Sequence, residues 1–144
     1  MILPDVNVLV YAFRPDVPLH DRHRAWLTSR LEGDEPVALA DSVLAGVVRI
    51  LTHPRILQPP ERIDDALDYV AALRAQTVAL GVGPGPRHWT IFSDLCRRSG
   101  VKGNLVPDAY LAALAIESGA ELITTDRDFS RFRDGEAFSA YVGL

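Results

Sequence analysis

The chain has one cysteine, one methionine and one lysine in 144 residues. It has no apolar run approaching the roughly twenty residues that a membrane-crossing helix needs. A lone thiol, Cys96, cannot close an internal disulfide, which fits a reducing cytoplasm and a cytoplasmic protein. The stretch Met1-Ile2-Leu3-Pro4-Asp5 lacks a basic leader and reaches an acid at once, so it does not read as a secretory signal. No internal repeat or low-complexity tract is visible. With Lys102 as the single lysine, fourteen of the fifteen basic residues are arginine. Arginine is the better fork for phosphate oxygens, although biased codon usage would give the same composition. The net charge of −4 is the wrong sign, on average, for a nucleic-acid binder. That objection falls away if the acids gather round a metal and the arginines lie elsewhere.

What is present points to one globular domain over residues 1–144. Apolar residues make up 48 % of the chain, which excludes a disordered one, and this length can bury a sizeable core. Ile2-Leu3 starts a short apolar strand, with Pro4 confined to its last position or an unpaired side because it brings no ladder donor. Helices are expected over Asn7 to Phe13, His20 to Leu31, Ser42 to Thr52, Glu61 to Ala75, Arg87 to Arg98 and Pro107 to Ser118. Strands are expected at Val37 to Ala40, Thr77 to Leu80 and Glu121 to Thr125, and near Ala140 to Val142. Gly81 to Pro86 and Gly100 to Asn104 read as loops. Strands alternating with helices imply a three-layer α/β/α domain around a mostly parallel sheet of four to five strands.

Three aspartates stand where such a fold gathers its functional groups, outside the carboxyl ends of parallel strands. Asp5 follows the first strand, Asp126 follows the fourth, and Asp108 lies in the first turn of a helix opened by Pro107. Each has a plain structural role available. Asp5 could cap a helix, Asp108 could complement a helix dipole, and Asp126 could form an Asx-turn. Together they would repel one another and raise each other's pKa, and a hard divalent cation with oxygen ligands is the usual remedy.

Four stretches in order resemble the PIN-domain family and, within it, the VapC toxins of type II toxin–antitoxin systems. They are Asp5-Val6-Asn7, Val48 to Ile56, Gly103 to Ala109 and Thr124 to Phe129. The resemblance implies a magnesium-dependent endoribonuclease, with Mn²⁺ as a substitute, that leaves 5′-phosphate and 3′-hydroxyl ends. It also implies a homodimer silenced by a cognate VapB-type antitoxin, whose arm reaches the acidic cleft, often through arginine. Carried over residue by residue, Asp5, Asp108 and Asp126 match the family's metal-binding acids. Asn7 matches the polar partner of the first acid, and Thr125 the hydroxyl residue before the last. Asp128 stands where an auxiliary acid could sit.

One position departs from the family pattern. Counting back from Thr52-His53-Pro54, the family's helix glutamate falls on Gly46. That glycine either takes a ligand from the cleft or lets the helix approach the sheet. Asp41 could supply the missing carboxylate, and is as well placed to cap a helix or to precede a Ser42 cap. Gly46 also motivates a rival reading, a catalytically silent PIN scaffold that binds RNA or protein. A second rival, a haloacid-dehalogenase-like phosphatase, needs another acid two residues after Asp5, where Asn7 stands.

Several other residues have two readings. His20 and His23, three apart on a helix, could hold a metal, but with no third ligand they read as a solvated face. Trp89 and Phe92 could stack bases, against core or interface packing as the plainer reading. Arg14, Arg87, Arg97, Arg98 and Lys102 could line an RNA path or be ordinary surface charge.

Overall fold

A computed structural model describes residues 1–132 and 140–142. Five strands form one sheet in the order β3-β2-β1-β4-β5, and every pair is parallel. The strands are β1 (Ile2–Pro4), β2 (Val37–Ala40), β3 (Ala79–Val82), β4 (Glu121–Thr124) and β5 (Ala140–Val142). Each of the three central strands is an almost unbroken buried apolar run, as expected where helices cover both faces of a parallel sheet. Pro4 ends β1 opposite Ile123, and the next backbone donor, Asp5 N, continues the ladder to the Ile123 carbonyl at 2.8 Å. A proline is therefore tolerated in the middle strand of the sheet.

Among the described residues six α-helices link the strands: α1 (Val6–Phe13), α2 (His20–Leu31), α3 (Asp41–Leu51), α4 (Ile63–Arg74), α5 (His88–Ser99) and α6 (Val106–Ser118). Their contacts fall into two sets. In one, α1 packs on α2 and α3, and α3 on α4; in the other, α5 packs on α6. Right-handed crossovers account for this division. The chain steps from β1 to β2 to β3 in one direction, then returns past β1 to lay down β4 and β5 on the other side. The helices of the return, α5 and α6, must then cover the opposite face. The reversal falls between β1 and β4, and there the carboxyl ends of neighbouring strands open a crevice.

Helix α6 carries no polar stripe: Ala109, Leu111, Ala112, Ala113, Leu114 and Ala115 are all buried. A helix apolar on every side belongs inside. It ends at Gly119, whose φ of +68° is the left-handed conformation a helix stop favours.

The third strand lies two residues later than the sequence suggests. Thr77 and Val78 are taken up by the turn that leaves α4, closed by Ala79 N donating to the Gln76 carbonyl at 3.0 Å. Pairing with β2 then runs on through Gly81, at a half-exposed edge where a missing side chain costs little. A 3-10 turn, Gly103–Leu105, occupies part of the loop before α6, and a second, Arg127–Phe132, follows β4.

Candidate active site

Asp5, the residue after β1, caps α1. Its Oδ1 accepts from Val6 N at 2.6 Å and its Oδ2 from Thr124 Oγ1 at 2.9 Å. The carboxyl is buried. Burial pushes its pKa up, the two hydrogen bonds oppose that rise, and the charge of Asp126 adds to it.

Thr124 ends β4 and is wholly buried. Its hydroxyl donates to Asp5 and accepts from Asp126 N at 3.0 Å, tying the exits of β1 and β4 together. Asp126 in turn accepts the Asp128 amide on Oδ1 at 2.8 Å, an Asx-turn that fixes the carboxyl just outside the sheet.

Asp108 reaches the same crevice from the opposite layer, in the first turn of α6 behind Pro107. It is half-buried, and its pKa is raised from 3.8 to about 6. Burial is the largest cause. Repulsion from Asp126, Asp5 and Asp128 follows, and Arg131 pulls the other way. The three aspartates proposed from sequence thus share one electrostatic field, although each also performs the plain structural role available to it.

A pocket of about 420 Å³ opens beside Asp5 and Asp108. Val6, Val43, Phe92 and Tyr110 supply apolar wall. The lining thus combines two carboxylates with aromatic and aliphatic carbon.

The supporting residues divide. Asn7 sits half-buried in the first turn of α1, next to Asp5 in the chain. Asp128 lies at the rim and pairs with Arg131 at 3.3 Å. Thr125 is half-exposed, and the hydroxyl that joins the site is Thr124, one residue earlier. Thr124 is the last residue of β4 and is wholly buried, whereas Thr125 lies past the end of the strand.

Asp41 does not join the cluster. Its side chain is 88 % exposed and pairs with Arg74 of α4 at 3.0 Å. Nor does it cap α3: Ala40 holds that position, without a side-chain hydrogen bond, so the Ser42 cap is absent too. Gly46 is explained by packing. A Cβ there would lie 2.8 Å from Val6 Cγ2, so the glycine admits α1, rather than the sheet, against α3. Val6 follows Asp5, and the glycine thereby sets how closely α3 approaches the site.

Three other expectations are corrected. His20 and His23 are buried, their Nδ1 atoms donating to the carbonyls of Tyr11 and Leu19 at 2.8 and 2.9 Å. Arg14 is buried as well. It grips Asp16 through Nε and Nη2, and Glu61 and the Pro59 carbonyl through Nη1. Trp89 is 70 % exposed, which removes core packing as its explanation.

The donor set suits a divalent metal. Asp108 feels the charges of Asp126, Asp5 and Asp128, and among the described residues Arg131 is the cation that lowers its pKa. Among the described residues Asp5, Asp108 and Asp126 do not close into a three-ligand cluster.

Comparison with known proteins agrees with this architecture. A profile of the PIN domain matches residues 2–135. Ribonuclease VapC43 of Mycobacterium tuberculosis is 44 % identical over 133 residues, covering 92 % of this chain and 90 % of the relative. Ribonuclease VapC25 of the same organism is 40 % identical over 132 residues, covering 92 % and 93 %. Among solved structures, VapBC2 from Rickettsia felis, bound to a promoter DNA fragment, superposes with a TM-score of 0.70 at 17 % identity, over 99 % of this chain and 98 % of that one. Mycobacterium tuberculosis VapC20, described as a sarcin–ricin loop cleaving toxin, superposes with a TM-score of 0.64 at 19 % identity, over 90 % and 93 %. The chain is a PIN-domain protein. Within that family it belongs with the VapC ribonucleases.

Proposed function

We propose that this protein is the toxin of a type II toxin–antitoxin pair, a Mg²⁺-dependent endoribonuclease that hydrolyses RNA phosphodiester bonds. The observation that carries the reading is the convergence of Asp5, Asp126 and Asp108 at the crevice between β1 and β4, where each carboxylate's charge is felt by another. Their relatives' names, VapC43 and VapC25 ribonucleases, supply the reaction class.

Asp5, Asp108 and Asp126 would hold the ion, with Mn²⁺ a substitute for Mg²⁺. When bound, such an ion supplies water activation and charge neutralisation at the scissile phosphate. The protein's own part is positioning. Thr124 Oγ1 and Val6 N fix the Asp5 carboxylate, the Asx-turn fixes Asp126, and Pro107 sets the start of the helix that presents Asp108. In the net reaction water adds to phosphorus and the P–O3′ bond breaks. The proton lost by water goes to the departing 3′ oxygen, leaving 5′-phosphate and 3′-hydroxyl ends.

Asp5→Asn and Asp108→Asn test the assignment. Each should remain folded by circular dichroism and lose Mg²⁺-dependent RNA cleavage. Full activity in either folded variant would refute it. The silent-scaffold alternative drew on Gly46, and the contact with Val6 now accounts for that glycine.

The same reading includes a cytoplasmic location, a VapB-type antitoxin partner and a homodimer. Ile63 and Leu67 on α4 are 53 % and 50 % exposed and, with half-buried Val70, form an apolar stripe at helical spacing. Light scattering should give the mass of a dimer. A monomer at high micromolar concentration would remove that part of the proposal.

A further inference from the structure

One exposed feature is not used by the acidic site. Trp89 stands 70 % exposed on α5, yet the start of that helix is firmly held. Glu117 of α6 accepts the backbone amides of Gly85 and Arg87 at 2.7 and 2.8 Å. The next residue, His88, is buried and its Nε2 donates to the Tyr110 carbonyl of α6 at 3.0 Å. Tyr110 lies two residues beyond Asp108. The helix carrying Trp89 is therefore clamped to the helix carrying a metal-site acid.

The aromatic side chains run continuously from the pocket to the surface. His88 meets Tyr110 edge-on at 4.3 Å between ring centroids and lies parallel to Phe92 at 6.3 Å. Phe92 lines the pocket beside Asp108, and Trp89 leans on Phe92 at 5.4 Å. The chain's other tryptophan is different: Trp26 is half-buried with Arg30 over its ring at 5.8 Å. Leaving an indole exposed while fixing the helix beneath it gives a flat surface that loses little entropy when covered.

The local charge favours a polyanion. Between Arg87 and Lys102 the chain carries Arg87, Arg97, Arg98 and Lys102; Asp94 pairs with Arg97 at 3.4 Å, and Glu117 of α6 stands at the helix start beside Arg87. All four cations are exposed. An exposed aromatic face on a helix that also carries cations matches single-stranded nucleic acid, whose bases stack while its phosphates are neutralised.

We propose that Trp89, backed by Phe92, is a stacking platform for an unpaired nucleobase beside the phosphate that enters the acidic site. The inference rests on the ribonuclease reading and adds to it a base-binding residue outside the three acids. Trp89 here is a binding residue, distinct from the acids.

The test uses a single-stranded RNA of about ten nucleotides, within the range of such sites. Binding is read in the Asp108→Asn protein carrying Trp26→Phe, so that Trp89 is the only indole reporting. Its emission should be quenched by the single strand and not by the same sequence as a duplex. Trp89→Ala should weaken binding about tenfold, the usual loss for one stacked base, and Trp89→Phe should restore most of it. With Asp108 intact, Trp89→Ala should raise KM and leave kcat nearly unchanged. Unaltered affinity and KM in a folded Trp89→Ala protein would overturn the proposal and assign the indole to a protein partner. Quenching equal for single strand and duplex would overturn it as well. The two readings fail separately. Cleavage by wild type with a neutral Trp89→Ala defeats the platform alone. Quenching and Trp89-dependent binding without any cleavage defeats the ribonuclease reading alone.

Discussion

Asp108→Asn should stabilise the metal-free protein, and the gain should depend on pH. The rise of the Asp108 pKa from 3.8 to about 6 reflects a carboxylate disfavoured by burial and by three neighbouring acids. At face value that rise corresponds to about 3 kcal/mol. The group is only half-buried, and solvent screening reduces the figure to about 1–2 kcal/mol. Because the folded-state pKa lies above the unfolded one, the native protein holds this proton more tightly. Stability from this source is whole below about pH 4 and is lost as pH rises through about 6. Asparagine keeps the shape and never takes the charge, so it escapes the loss. Thermal melts in EDTA should show wild type and variant together near pH 4 and diverging above it. At neutral pH the variant should melt about 3–6 °C higher, at the few degrees per kcal/mol expected for a domain of this size. Adding Mg²⁺ should narrow the gap, since an ion bound by the native state stabilises wild type more than a variant lacking one of its acids. A variant less stable than wild type at pH 7 in EDTA, or a difference that does not change with pH, would refute the electrostatic account of this site.

Other substitutions probe the supports. Thr124→Val removes a buried hydroxyl that serves both Asp5 and Asp126; denaturant melts should show a loss of about 1–2 kcal/mol, and cleavage at limiting Mg²⁺ should fall. The same change should push the Asp5 pKa higher still, because the lost hydrogen bond favoured the ionised form. Gly46→Ala should lower the melting temperature: the helix gains about 1 kcal/mol in propensity, but the new Cβ meets a branched Val6 side chain at 2.8 Å, an overpacking cost of about 1–3 kcal/mol. Calorimetric Mn²⁺ titration should give Asp41→Asn the affinity of wild type, and Gly46→Glu no tighter binding; a loss with Asp41→Asn would place Asp41 in the site after all.

Much of the fold is legible in the sequence because the signals agree across scales. The run Val37 to Ala40 reads as a strand buried on both faces, and the central strands β1 and β4 share that pattern. Pro107 and Gly119 bracket α6, and the alternation of strand and helix leaves few topologies. The third strand slips by two residues because an edge strand is specified weakly. Its burial is partial, and a turn competes for Thr77 and Val78. The acids are legible for a similar reason, since a carboxylate just past an apolar run falls at a strand exit whichever way the rest of the chain packs.

What the sequence leaves open depends on contacts made across the fold. Thr124 and Thr125 are chemically the same, and only register against β1 turns one of them toward Asp5. Gly46 looks like a missing ligand until α1 is laid against α3 and Val6 fills the space a side chain would need. His20 and His23 look solvated until α2 packs on α1, where the Tyr11 carbonyl takes the first ring and the Tyr11 ring meets the second edge-on at 5.2 Å. Arg14 looks like one more surface cation until Glu61 and the Pro59 carbonyl, both far along the chain, close round it. In each case a partner on another element, far along the chain or across the fold, completes the environment. The reverse holds for Trp89: an aromatic residue on a helix suggests packing, and the indole instead stands exposed, against Phe92, on a helix held by Glu117 and His88.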